Sequence, residues 1–164
     1  MEKGLRKLSD PLDLSRVRRV QHGIKNESCA AECYLAIMHV SLRHCGLIVN
    51  ATCPWVGARP NRLVFHPEEA SCGMVEVECL YRLKDSDPST AAEETSCLTL
   101  EDGIPHPMYF LQVLGQMALT GCNWAGFVVF TEKWVAVERI RFDQEEWTRV
   151  RQPLDIFLLF HFPN

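Results

Sequence analysis

Gly73-Met74-Val75-Glu76-Val77-Glu78-Cys79-Leu80-Tyr81 alternates with a period of two. Met74, Glu76, Glu78 and Leu80 fall on one side, and Val75, Val77, Cys79 and Tyr81 on the other. That is the pattern of a β-strand with two different faces. It sets Glu76 and Glu78 on the same face, about 7 Å apart along the strand. Carboxylates that close repel each other unless a cation or a proton comes between them.

On the N-terminal side of this strand, Ala30, Cys33, Tyr34, Ile37, Met38, Ser41, Leu42 and Cys45 recur at three-and-four spacing. This predicts a helix over about residues 26–44, ended at Gly46 as by a C-cap. Glu27 leads the same stripe, one turn before Ala30. Burying a carboxylate there is costly unless something positive pairs with it. Strands are predicted at 47–51 and 62–66, the second following the turn-like Gly57-Ala58-Arg59-Pro60-Asn61.

On the C-terminal side, residues 85–94 are polar and read as a loop. A helix runs from 106 or 107 to about 120, closed by Gly121, with Phe110, Val113, Leu114 and Met117 inward and Tyr109, Gln112 and Gln116 on an adjoining face. Residues 124–131 and 134–142 form a hairpin around Glu132-Lys133. Asp143 with Glu146 resembles a capping box opening a last helix, which Pro153 breaks or restarts. The order is helix, three strands, helix, two strands, helix. It predicts one mixed α/β domain with helices on the faces of a single sheet.

The 164 residues are 47% hydrophobic and 23% charged, enough apolar material for one core and too much for a disordered chain. The apolar run 156–160 is far too short to span a bilayer, so no membrane partner is expected. No secretory signal is visible at the N-terminus, so the expected location is inside a cell. Eight cysteines (29, 33, 45, 53, 72, 79, 97 and 122) form no CxxC pair and are expected to be free, buried and apolar in role. The sequons at Asn26 and Asn50 read as chance matches. Charge is uneven, because residues 1–25 hold seven Lys or Arg against three acids while the remainder is net acidic. The boundary is drawn at a basic arm, residues 1–21, ahead of a domain at 22–164. Arg16, Arg18 and Arg19 could approach a phosphate backbone or form a solvated helix face.

Glu27, Asn61, Glu76, Glu78 and Gln112 form the suggestive set. Oxygen-bearing side chains from a strand and a turn suit Mg²⁺ or Mn²⁺, ions that drive phosphodiester hydrolysis. Spacing alone leaves open that each acid is simply solvated or hydrogen-bonded. There is no GxGxxG, P-loop, GxSxG or HExxH to suggest an ordinary metabolic enzyme.

Several stretches resemble the YqaJ-type viral recombinase nucleases, relatives of phage lambda exonuclease in the PD-(D/E)XK, restriction-endonuclease-like superfamily. Residues 54–64, PWVGARPNRLV, are similar to that family's P-W-L-G-A-S-P-D-G-L-V. Residues 73–80 resemble its G-L-V-E-V-K-C-P, and residues 109–117 its Y-Y-x-Q-V-Q-G-Q-M. Gly23, Glu27, Ala30 and Tyr34 match the spacing of its opening helix, and residues 124–147 its closing hairpin and helix. The resemblance implies a restriction-endonuclease-like core, a central mixed β-sheet flanked by α-helices. It also implies a metal-dependent DNA nuclease, with the turn Asp and first strand Glu as metal ligands, the strand Lys activating water, and the helix Glu and Gln supporting the site.

Carried over position by position, Glu27, Glu76 and Gln112 are retained, but Asn61 stands at the Asp position and Glu78 at the Lys position. Arg59 and Arg62 replace Ser and Gly. Asn is the poorer ligand for a hard cation, and Glu reverses the charge that Lys supplies. The expectation is a catalytically impaired domain that acts, if at all, by binding DNA or a protein. Arg16, Arg18, Arg19, Arg59 and Arg62 are then the candidate nucleic-acid contacts. One alternative is an active Mg²⁺- or Mn²⁺-dependent exonuclease using Glu27, Glu76, Glu78 and Gln112, with Asn61 and Glu76 as ligands and Lys25 or Lys84 as a migrated ammonium. The other is a protein-interaction module without nucleic-acid affinity.

Overall fold

Trp124-Ala125-Gly126-Phe127-Val128-Val129-Phe130 contains no polar residue, and a strand of that composition must be covered on both faces. In the computed structural model, which describes residues 13–51, 53–88 and 107–161, it is buried at every position. The elements are α1 (Arg18–Met38), β1 (Ser41–His44), β2 (Ile48–Asn50), β3 (Cys53–Ala58), β4 (Arg62–Phe65) and β5 (Gly73–Glu78). They continue with a 3-10 turn (Tyr81–Leu83), α2 (Pro107–Thr120), β6 (Trp124–Phe130), β7 (Val135–Arg141) and α3 (Gln144–His161). Five strands form a mixed sheet in the order β1-β4-β5-β6-β7, and β2 and β3 form a separate antiparallel pair. Only β5 and β6 run parallel, with Glu76 opposite Phe127. The expected fold class, a mixed sheet flanked by helices, is the one observed.

Period-two alternation in β5 feeds two separate cores. Met74 packs with Val113, Leu114 and Met117 of α2 and with Phe127 and Val129 of β6. Val75 and Val77 face the other way, against Ala30 and Tyr34 of α1, with Trp124 and Val128. At Gly126 the sheet has room for no side chain, since an added Cβ would lie 2.5 Å from Tyr34 Oη. At Gly73 a Cβ would run into the Trp124 ring.

Four local expectations are corrected. The first helix starts earlier and ends earlier, with His39 in the left-handed region (φ 53°) as its C-cap instead of Gly46. Residues 41–44 satisfy a helical stripe and a strand alternation alike, and antiparallel pairing with β4 decides for the strand. Cys53–Ala58, expected to lead into a turn, is a strand paired with β2. Pro153 lies inside one continuous α3, whose start is held by Asp143 Oδ1 accepting from the backbone N–H groups of Glu145 and Glu146. Among the cysteines whose burial is described only Cys122 is buried; Cys29 is exposed and Cys33, Cys45, Cys72 and Cys79 are intermediate.

The division drawn after residue 21 falls within α1, so Arg18 and Arg19 are its first turn and not part of a separate arm. Residues 1–12, Cys97 and the end of the expected 85–94 loop lie outside the described residues.

Gly126→Ala is expected to lower stability by about 2–3 kcal/mol, the usual cost of overpacking a well-filled core. Urea unfolding followed by tryptophan fluorescence measures it. A loss below about 0.5 kcal/mol would mean Tyr34 yields at little cost.

Candidate functional site

Asn61 occupies the bend before β4, level with the C-terminal half of β5. The β4–β5 ladder stops there, and the Asn61 side chain takes over its last acceptor. Asn61 Oδ1 accepts a hydrogen bond from the Val77 backbone N–H at 2.8 Å. The next β5 residue toward the core, Glu76, is 7% exposed. Gln112 of α2, next to the core residue Val113, donates its Nε2 to Glu76 Oε1 at 2.6 Å.

Burial pushes the Glu76 carboxyl from its ordinary 4.5 up to about 7. The neighbouring Gln116 amide, the Asn61 backbone and the Gln112 hydrogen bond pull it back down, and the nearby Glu27 charge raises it further. Glu76 Oε2 and Gln116 Oε1 are both buried acceptors without a donor. A proton on Glu76, or the Gln116 amide turned over, satisfies the pair. Glu78, two residues on, is also raised to about 7, by burial first and by the Glu76 charge second.

On the opposite face of the sheet, Glu27 reaches in from α1 and is met by Arg62 of β4. Arg62 Nη1 lies 2.8 Å from Glu27 Oε1, with the arginine side chain 11% exposed and the glutamate 36%. The same nitrogen donates to the Asn61 carbonyl oxygen at 2.5 Å. Here is the positive partner that a carboxylate at the head of a buried stripe requires.

Glu27 is shared by two cavities. A cleft of about 560 Å³ is lined by Arg19, Glu27, Glu78, Tyr81, Arg82 and Tyr109, among others. A smaller polar pocket of about 250 Å³ is lined by Glu27, His44, Arg59, Asn61 and Arg62, with Cys45 and Pro60. All five residues of the suggestive set therefore lie around the end of β5. Of the candidate phosphate contacts, Arg19 lines the larger cavity and Arg59 and Arg62 the smaller. Arg16 and Arg18 are exposed and line neither. Neither lysine considered as a migrated ammonium lines either cavity, and Lys84 pairs with Asp85.

Whether these residues suit a divalent ion can be tested on their oxygens. Glu27 Oε1 is held by Arg62, Asn61 Oδ1 by a backbone N–H, and Glu76 Oε1 by Gln112. Among the described residues no three His, Cys, Asp or Glu side chains converge where a metal ion could sit. As arranged, this donor set does not fit a divalent cation. The Arg62–Glu27 pair is the feature that sequence reasoning missed. Its two halves, an acid needing a cation and an arginine where the related motif has Gly, were both legible. Gln116, four residues after Gln112 on the same helix face, is the other addition.

The chain belongs to the YqaJ-like viral recombinase domain family, whose model matches residues 1–123. Among solved structures it is similar to an alkaline exonuclease, LHK-Exo, from Laribacter hongkongensis. The two share 26% identity at a TM-score of 0.69, over 86% of this chain and 67% of that one. The same exonuclease in complex with dAMP matches at 26% identity and a TM-score of 0.68, over 85% of this chain and 66% of that one. A phage-related exonuclease from Haemophilus somnus shares the fold at 12% identity and a TM-score of 0.60, over 84% of this chain and 67% of that one. The chain thus spans about two thirds of the length of these exonucleases. No curated protein matches it. The domain is an exonuclease-fold domain related to recombination nucleases.

The Glu76 shift has a testable sign. The unfolded chain ionises near 4.5 and the folded one near 7, so the folded state holds more protons between those values. Its stability is therefore expected to fall as pH rises from about 4.5 to about 7 on account of this group, with the cost fully present above that range. Glu76→Gln should raise stability by about 1–3 kcal/mol at pH 8 and change it little near pH 4. Urea midpoints at the two pH values decide it, and an equal effect at both would count against the buried ionisation.

Proposed function

We propose that this chain is a nuclease-fold domain of the PD-(D/E)XK kind that holds a nucleic-acid backbone and is impaired in cutting it. The carrying observation is that Asn61 Oδ1 and Glu27 Oε1 are engaged by partners within the chain, Val77 N–H and Arg62. Hydrolysis in this family's pattern needs a charged carboxylate at the first position and an ammonium at the Glu78 position. Asn61 supplies a neutral oxygen, and Glu78 supplies an acid next to Glu76. Loss of one such electrostatic group costs about 10²–10³ in rate.

Support for a backbone grip comes from the cations flanking the carboxylates. Arg19 and Arg82 line the larger cavity, and Arg59 and Arg62 the smaller. Phosphates on either side of the carboxylate centre would each meet an arginine, and such contacts position a strand without reading its sequence. DNA is the substrate class the family resemblance implies, and the similar alkaline exonuclease is known in complex with dAMP.

An interaction module without nucleic-acid affinity is favoured by a different surface. A largely apolar groove of about 700 Å³ runs between β3, α2 and α3, lined by Val56, Leu111, Leu119, Val150 and Leu154.

With a linear duplex and Mg²⁺, the wild-type chain is expected to bind with an affinity that falls steeply with salt and to degrade little or nothing. Asn61→Asp and Glu78→Lys combined with Arg62→Gly, which frees Glu27, should raise Mg²⁺-dependent degradation by about 10²-fold or more. Rapid wild-type degradation that Glu76→Ala abolishes would overturn the impaired reading. Absence of any salt-sensitive binding would favour the interaction module.

A further inference from the structure

We propose that Arg62 is the resident cation of this site, neutralising the Glu27 carboxylate in place of a divalent ion, and that it makes phosphate recognition by this chain independent of metal. The inference rests on the nucleic-acid reading above for its ligand, but its cation half stands on geometry alone. Arg62 opens β4 opposite Val75, which puts its side chain on the α1 side of the sheet. There it is 11% exposed and fixed at two points, Glu27 Oε1 at 2.8 Å and the Asn61 carbonyl at 2.5 Å. Both contacts use Nη1. A guanidinium carries five N–H donors in a planar fork, so Nη2 and Nε remain to present to an anion.

Those donors belong to a side chain that borders two cavities, the polar pocket of about 250 Å³ and a neighbouring one of about 230 Å³. His44 lines both with it, and Arg59, which is exposed, lines the first. The carboxylate in the pocket, Glu27, is already neutralised by the pair. An incoming phosphate therefore meets a fork of fixed direction with a second arginine beside it.

A divalent ion in a nuclease site neutralises carboxylates, grips a phosphate oxygen and activates water. Arg62 can perform the first two of these tasks. It cannot perform the third, because a guanidinium has no coordination position for water and does not lose its proton in proteins. The same replacement thus accounts for holding without cutting. It also blocks the metal, since an ion near Glu27 would have to displace a half-buried guanidinium of like charge that is held by two hydrogen bonds.

The test pairs two readouts on the full chain, with circular dichroism confirming that each variant is folded. The first is Mn²⁺ binding, by calorimetry. The second is anisotropy of a short labelled duplex in EDTA and in Mg²⁺. Wild type is expected to bind the duplex equally well in both and to show no Mn²⁺ heat. Arg62→Met, which keeps a long side chain in the strand, should weaken duplex binding about tenfold, as loss of a charge-assisted fork does, and gain Mn²⁺ affinity at least about tenfold. Arg62→Lys should keep the Mn²⁺ block and lose part of the duplex affinity.

Micromolar Mn²⁺ binding by wild type, or an Arg62→Met variant unchanged in both readouts, overturns the proposal. Duplex binding that disappears in EDTA overturns it as well. A wild-type chain that binds no duplex at all removes the nucleic-acid reading and the phosphate half together. The Mn²⁺ readout then decides the cation half by itself.

Discussion

Glu76 places an ionisable carboxyl between two valines at the centre of a sheet whose adjoining strand, β6, is wholly apolar. Such a group must be supplied with donors or a proton, and the surrounding elements are positioned to do so. α2 lies across this face with Gln112 and Gln116 aimed at the carboxyl, while Val113, Leu114 and Met117 of the same helix fill the core beside it. From the other side of β5, the bend at Asn61 sets its backbone near the carboxyl and brings a side-chain oxygen to the Val77 amide. The site is therefore continuous with the core. One register, Glu76 opposite Phe127, fixes both.

Much of this was legible in the sequence because β5, α2 and the β6–β7 hairpin each carry a clean period. The two faces of β5 were read correctly, as were the span of α2, its Gly121 ending and the hairpin at Glu132-Lys133. Elements whose boundaries depend on distant pairing were not legible. Ser41–His44 is short enough to fit a helix or a strand, and β4, some twenty residues away, settles it. The β2–β3 pair was hidden because Pro54 and Gly57 weaken its strand signal. The five residues named from spacing and motif do gather around the end of β5, but their bonding, and the part taken by Gln116, was not legible. That Glu27 and Arg62 meet across thirty-five positions is a fact of packing, which no local pattern encodes.

The electrostatic character of the site follows from which side of the sheet each acid occupies. Glu76 and Glu78 lie on the α2 side of β5, and burial pushes both up to about 7. Glu27 faces the α1 side and is paired. The cluster of three acids thus combines two carboxyls whose ionisation burial opposes with a single carboxylate held by an arginine.

The parallel pairing of β5 with β6 carries a kinetic consequence. Partners such as Glu76 and Phe127 lie about fifty residues apart, so the chain must close a long crossover before the centre of the sheet forms. The β6–β7 hairpin and the β4–β5 pair are more local and can form without it. Glu76 arrives with one of these pieces, and Gln112 sits on the crossover itself. The carboxyl therefore gains its α2 partners only as the two halves of the sheet zip together. A nascent chain emerging N-terminus first holds Glu76 and Glu78 in water until α2 and β6 have been made, and the site comes into being in the last step of closure.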